Sequence, residues 1–147
     1  MSGERLRISG DVHAAMVAHA LAGMPYEACG LFAGSVDDQA EGPSVDRFFP
    51  MRNAAESRTL YLLDGQEHLD VEKTVDEAGA VLVGVMHSHT HTQAYPSPTD
   101  VADAARSDPF GTWVFVIVSL EHPDPELRAF RILDGAITEV PVDEVPG

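Results

Sequence analysis

The chain has 147 residues, 44% hydrophobic and 22% charged, a composition that supports a buried core and argues against disorder. Nine Lys and Arg stand against 24 Asp and Glu, a formal net charge of −15, so nucleic acid and anionic membrane make poor partners. No apolar run approaches the roughly 20 residues of a spanning helix, the opening MSGERLRISGDVH lacks a secretory apolar stretch, and the lone Cys29 fits a reducing, cytoplasmic setting.

RLRIS (residues 5–9) is short and alternating and predicts a first strand. In DVHAAMVAHALAG, Val12, Met16, Val17 and Ala20 share one helical face and Gly23 is a stop signal. ACGLFAGS reads as a buried strand ending in a turn. DDQAEGPS (37–44) reads as a polar loop and not a linker, because periodic segments resume at once. VDRFFPMRN and TLYLL predict two more strands. DGQEHLDVEKTVDEAG predicts a helix capped by Asp64, with Leu69 and Val75 inward and Gly79 at its end. AVLVGVMHSH is β-branched and predicts a strand in which Gly84 marks a close backbone approach. SPTDVADAARS predicts a short helix. TWVFVIVSL predicts a long buried strand with Trp113, Phe115 and Ile117 toward the core, and LRAFRIL a half-exposed one. AITEVPV pairs with LRAFRIL through an Asp134-Gly135 turn. These elements sum to an α/β chain of roughly seven strands and three helices, read as a single domain over residues 1–147 and closed by an antiparallel meander.

Chemistry concentrates in GVMHSHTHTQAYPSPTD, residues 84–100. If the strand continues to residue 89, His87 and His89 point to one face, roughly 6.6 Å apart along the chain. Two imidazoles at that spacing can converge on one Zn²⁺, which needs each nitrogen at about 2.0–2.1 Å. A third ligand must come from elsewhere, and Asp100 is the nearest by type. Ser97 and Asp100 also fit a capping box with Pro98 at the first helical position, which needs no ligand to explain it. The two readings are compatible, because a helix opening beside the strand end aims Asp100 and the Ser97 hydroxyl at the histidines. A hydrolytic zinc site needs a base as well. Glu27, at the mouth of an apolar strand, is either that base or a strand-end surface glutamate.

Glu27, then His87-Ser88-His89, seven residues, Ser97, two residues and Asp100 resembles the signature of the JAMM (MPN+) zinc metalloproteases at each ligand and catalytic position. YEACG, HSHTHTQAYPSPTDV and the terminal RILDGAITEVPV are similar to the small bacterial members, over nearly the whole chain. The resemblance implies an α/β, JAMM/MPN-like (cytidine-deaminase-like) domain with a mixed central sheet flanked by helices. It implies one Zn²⁺ held by His87, His89 and Asp100, Glu27 as general acid and base, and Ser97 stabilising the oxyanion. It also implies a substrate: a small ubiquitin-like sulfur-carrier protein, cleaved after its C-terminal Gly-Gly tail to release cysteine. The alternatives are processing of another ubiquitin-like carrier, or a non-catalytic metal-binding scaffold. Where many members have proline after the second histidine this chain has Thr90 and His91, and there is no room for the insertions that grip ubiquitin.

Other residues have plainer readings. His91 reads as a loop histidine, Cys29 as a core thiol, and Ser88 as a locally bonded residue on the opposite strand face. Tyr95 either lines a substrate path or covers the loop. His13, His19, His68 and His122 read as surface or helix residues. A homodimer through the apolar first helix is compatible with this pattern.

Overall fold

The computed structural model describes residues 4–36 and 41–147. Over them the chain runs β1 (Leu6–Ser9), α1 (Gly10–Gly23), β2 (Cys29–Val36), β3 (Pro43–Met51), α2 (Gly65–Glu77), β4 (Val81–His89), α3 (Pro98–Ser107), β5 (Val114–Ser119), β6 (Glu126–Leu133), β7 (Ala136–Val140) and β8 (Val142–Val145). The eight strands make one mixed sheet in the order β7-β6-β5-β4-β2-β3-β1-β8. At its centre β4 pairs parallel with β5 and antiparallel with β2. These are the most continuously buried strands, as strands covered on both faces must be.

Strand periodicity sorts the side chains into two layers. Phe32, Met86, Val114, Val116 and Val118 pack with Val12, Met16 and Ala20 of α1. Leu31, Ala33, Val85 and Phe115 lie on the other face, with Val71 and Val75 of α2 and Ala104 of α3. Only Pro141 separates β7 from β8, yet these strands are the two edges of the sheet. The sheet therefore curls until its edges meet, with α1 on the inner face beside Leu6, Ile8 and Val140. The layer holding α2 and α3 is outside; a register shift early in β4 puts Leu82 on that side and Val83 on the inner one, and from Val85 onward the odd-numbered residues, including His87 and His89, face outward.

Several expectations hold. Asp64 caps α2 by accepting the Glu67 N–H at 2.9 Å; at α1, where no cap was expected, Ser9 accepts the Val12 N–H at 3.2 Å. A Cβ on Gly84 would lie 1.8 Å from the Val114 carbonyl oxygen, so β4 and β5 approach as they do only because this residue is glycine. Asp134 (φ 52°) and Gly135 (φ 79°) form the two-residue turn of the β6–β7 hairpin.

Three expectations fail for physical reasons, and a fourth is only partly covered. TLYLL is not a strand: apart from a bridge between Asn53 and Leu63, its pairing is done by one side chain. The Asn53 amide donates to the Leu60 carbonyl and its oxygen accepts the Leu62 N–H, doing the work of a neighbouring strand. Leu69 is exposed, because it sits about 200° around α2 from Val71, and it is Val71 that buries beside Val75. AITEVPV breaks at Pro141, which has no N–H for the ladder, and Val142 onward crosses to pair parallel with β1. Of the loop expected at 37–44, residues 37–40 lie outside the described residues, and Pro43 and Ser44 already belong to β3.

Candidate metal centre

The end of β4 is held on both sides, His87 opposite Cys29 of β2 and Ile117 of β5, and His89 opposite Ser119. After a short loop, α3 opens on the expected capping box. Ser97 Oγ accepts the Asp100 N–H at 3.0 Å, and Asp100 Oδ2 accepts the Ser97 N–H at 2.9 Å. The cap therefore fixes the direction of the Asp100 carboxylate. The same Oδ2 lies 3.2 Å from His87 Nε2 and 3.0 Å from His89 Nε2, and the two Nε2 atoms are 3.1 Å apart. All three residues are buried.

This triangle fits a metal ion. Tetrahedral ligands at the 2.0–2.1 Å of a zinc site stand about 3.3 Å from one another, close to the 3.0–3.2 Å edges here. His89 Nδ1 lies 2.8 Å from the Gln93 carbonyl; donating its proton there leaves Nε2 as the lone-pair nitrogen facing the triangle. Two imidazoles and a carboxylate form the donor set of a site that leaves a position open. His87, His89 and Asp100 could thus hold a metal ion.

Charge follows the same geometry. Burial works to raise the Asp100 pKa, but hydrogen bonds with His87 and His89 outweigh it and hold the carboxyl well below the usual range. Burial works to lower His89, and the bonds to Asp100 and the Gln93 carbonyl reverse that and raise it. Glu27 behaves differently. It is buried, its Oε1 has no hydrogen-bond partner among the described residues, and burial pushes its pKa up to about 8, against a smaller opposing effect of His89.

Glu27 is held by its backbone. Its N–H donates to the Ser57 carbonyl at 2.8 Å, and its carbonyl accepts the Asn53 amide at 2.9 Å. Next to it, the Ala28 N–H donates to Ser88 Oγ at 2.7 Å while the Ser88 N–H returns to the Ala28 carbonyl at 2.9 Å. Ser88 does lie on the opposite strand face, but its partner is 60 residues away and not local. The result is a cavity of about 400 Å³ onto which Glu27, His89 and Ser97 all face. His87 stands behind them, stacked on Tyr61 with ring centroids 4.5 Å apart. A larger cavity of about 540 Å³, beside Tyr61, His68 and Trp113, contains none of the five residues of the motif. The donor atoms, not cavity volume, mark the site.

Of the remaining residues, His91 is exposed at the cavity and outside the triangle. Cys29 is a fully buried thiol pushed up to about 12 by burial and by the nearby Glu67 and Glu27 charges. Tyr95 sets its ring edge-on against Phe130 and is not among the residues lining the Glu27 cavity. His19 does more than decorate α1, since its Nε2 reaches the Cys29 and Met51 carbonyls at 2.8 and 3.2 Å. Sequence reasoning missed Asn53, Tyr61 and the Gln93 carbonyl. An aromatic between leucines gave a strand signal that concealed Tyr61, and nothing local marks an amide that bridges two segments.

The chain is similar to known proteins over nearly its whole length. Residues 9–133 match the model of the prokaryotic homologues of the JAB domain. The chain is 45% identical, over 95% of its length and 91% of the relative's, to the CysO-cysteine peptidase of Mycobacterium tuberculosis. It is 34% identical to the desampylase of Haloferax volcanii, over 97% of this chain and 98% of that one. A solution structure of a Desulfitobacterium hafniense protein superposes with a TM-score of 0.87 at 30% identity, covering 97% of this chain and 94% of the other.

Proposed function

The chain belongs to the family of prokaryotic JAB-domain homologues, and we propose from that premise that it is a zinc-dependent cytoplasmic peptidase. Its substrate is a small ubiquitin-like sulfur-carrier protein. It cleaves after the C-terminal Gly-Gly of a carrier–cysteine conjugate and releases cysteine. The observation that carries this reading is the convergence of His87 Nε2, His89 Nε2 and Asp100 Oδ2 beside a carboxyl oxygen of Glu27 that has no partner among the described residues.

In this reading His87, His89 and Asp100 hold one zinc ion, which when bound supplies Lewis acidity and a water acidic enough to react at neutral pH. Glu27 accepts the proton of the attacking water and delivers it to the leaving nitrogen. A carboxyl whose pKa is raised by burial is suited to both transfers near neutral pH. Ser97 Oγ already accepts the Asp100 N–H, so its own proton is available to the scissile carbonyl oxygen as negative charge develops there. The water oxygen ends in the carrier's glycine carboxylate, the C–N bond breaks, and the amine leaves protonated. Glycines suit a backbone that must pass close to buried donors, because they carry no side chain.

The test is to incubate the protein with CysO–cysteine and follow the carrier's mass with zinc, with chelator, and with zinc restored. Cleavage is expected to stop on chelation and return with zinc. Glu27→Gln should bind one zinc and lose about 10²- to 10⁴-fold in turnover. Cleavage indifferent to chelator, or a fully active Glu27→Gln protein with zinc in place, would overturn the reading. Zinc binding with no cleavage of this or other carrier conjugates would instead make the protein a non-catalytic scaffold.

A further inference from the structure

This chain has eight arginines and one lysine against 24 acids. Seven of the arginines are engaged. Arg5, Arg47, Arg52, Arg106, Arg128 and Arg131 reach carboxylates, and Arg7 donates to the Ser44 hydroxyl and the Gly42 carbonyl. Among the described residues the Arg58 guanidinium has no partner. Its backbone, by contrast, is clamped to the site on two sides. The Arg58 carbonyl accepts the Thr90 hydroxyl at 3.4 Å, one residue beyond β4, and the adjoining Ser57 carbonyl accepts the Glu27 N–H at 2.8 Å. The Ser57 hydroxyl oxygen also accepts the N–H groups of Thr59 and Leu60. A fixed backbone thus presents a free guanidinium to the same cavity of about 400 Å³ that Glu27, His89 and Ser97 face. That volume lies at the small end of ligand sites, room for a few residues and no more.

The electrostatics say what the guanidinium is for. A residue removed from the end of a chain keeps a free α-carboxylate, which must come within a few bonds of the nitrogen being released. Around it are Asp100 and a molecule with a net charge of −15, both repelling it, and Glu27 adds to the repulsion whenever it is ionised. Arginine's planar fork matches a carboxylate with two parallel hydrogen bonds. A lysine joined through its side-chain nitrogen offers no carboxylate at that place. We infer that Arg58 receives the α-carboxylate of the released residue and is a specificity-determining residue, selecting conjugates that end in one free amino acid over linkages to the body of another protein. This rests on the peptidase reading above.

The test compares two probes with one carrier, CysO–cysteine with a free terminal carboxylate and the same conjugate as its carboxamide. Wild type should prefer the free acid about 10- to 100-fold in kcat/KM. Arg58→Ala should lose that factor on the free acid and keep its rate on the carboxamide, while Arg58→Lys recovers part of the preference. The ratio between probes is insensitive to a general loss of folding, and the exposed Arg58 side chain has no partner among the described residues to lose. Equal rates on both probes in wild type, or an equal fall on both in Arg58→Ala, would overturn the inference while leaving the peptidase reading standing. Absence of any chelator-sensitive cleavage of either probe would overturn both.

Discussion

Glu27 is buried, and among the described residues one of its carboxyl oxygens has no hydrogen-bond partner, so its protonated form is the one the fold prefers. The stability consequence has a definite sign. A group whose folded pKa is raised from 4.5 to about 8 gives its full contribution below the unfolded value and loses it as pH climbs through the folded one. With metal removed, Glu27→Gln and wild type should be equally stable near pH 4.5. By pH 8 the Gln protein should be the more stable, on the order of 2 kcal/mol, less than full linkage because the carboxyl faces a solvated cavity. Urea unfolding of both proteins in chelator at several pH values measures this, and curves that stay parallel would show that Glu27 is ordinarily solvated. Bound zinc should narrow the gap, because a nearby cation favours the carboxylate. Legibility at this scale was uneven. Spacing names His87, His89, Ser97 and Asp100 as candidates and the family resemblance adds a role for Glu27, whereas Arg58 lies inside an unremarkable ESRTL stretch. Its significance comes from its place on the site cavity with no side-chain partner among the described residues, which no local pattern encodes.

Elements whose signal is local came through intact. The alternation of AVLVGVMHSH sends Val85, His87 and His89 to one face, and the capping box of SPTD starts α3 where Asp100 can meet them. Gly84 joins these two levels. With a Cβ 1.8 Å from the Val114 carbonyl oxygen, Gly84→Ala must push β5 away from the strand that carries both histidines. The expected loss is about 2–4 kcal/mol in stability by denaturant unfolding, with weakened zinc binding as a second readout. A neutral Gly84→Ala would mean that β4 and β5 are spaced more loosely than the structure has them. The misread elements share one cause. Whether TLYLL is a strand depends on Asn53 supplying its hydrogen bonds, and whether Leu69 or Val71 faces inward depends on where the sheet lies. A five-residue apolar run carries neither piece of information.

Across the whole molecule, the curled sheet brings the Glu27 end of β2, the histidine end of β4 and the start of α3 to one place on its outer face. Three ligands from two separate elements make metal binding a tertiary stabilisation. Zinc at about 100 times its dissociation constant should add about 2.7 kcal/mol, and chelation should lower Tm by roughly 5–10 °C for a chain of this size. Calorimetry with and without chelator measures the shift, and an unchanged Tm would mean that the three side chains hold no ion. By itself the sequence determined the donor types, the face of β4 they occupy and the cap that begins α3. These depend on strand period, residue chemistry and hydrogen bonds spanning three residues. Only the tertiary structure decided that Asp100 Oδ2 comes within hydrogen-bonding distance of both imidazoles, that Glu27 is buried beside them, and that the Arg58 guanidinium has no partner among the described residues. Those arrangements join parts of the chain at least 11 residues apart and are fixed by packing across the sheet.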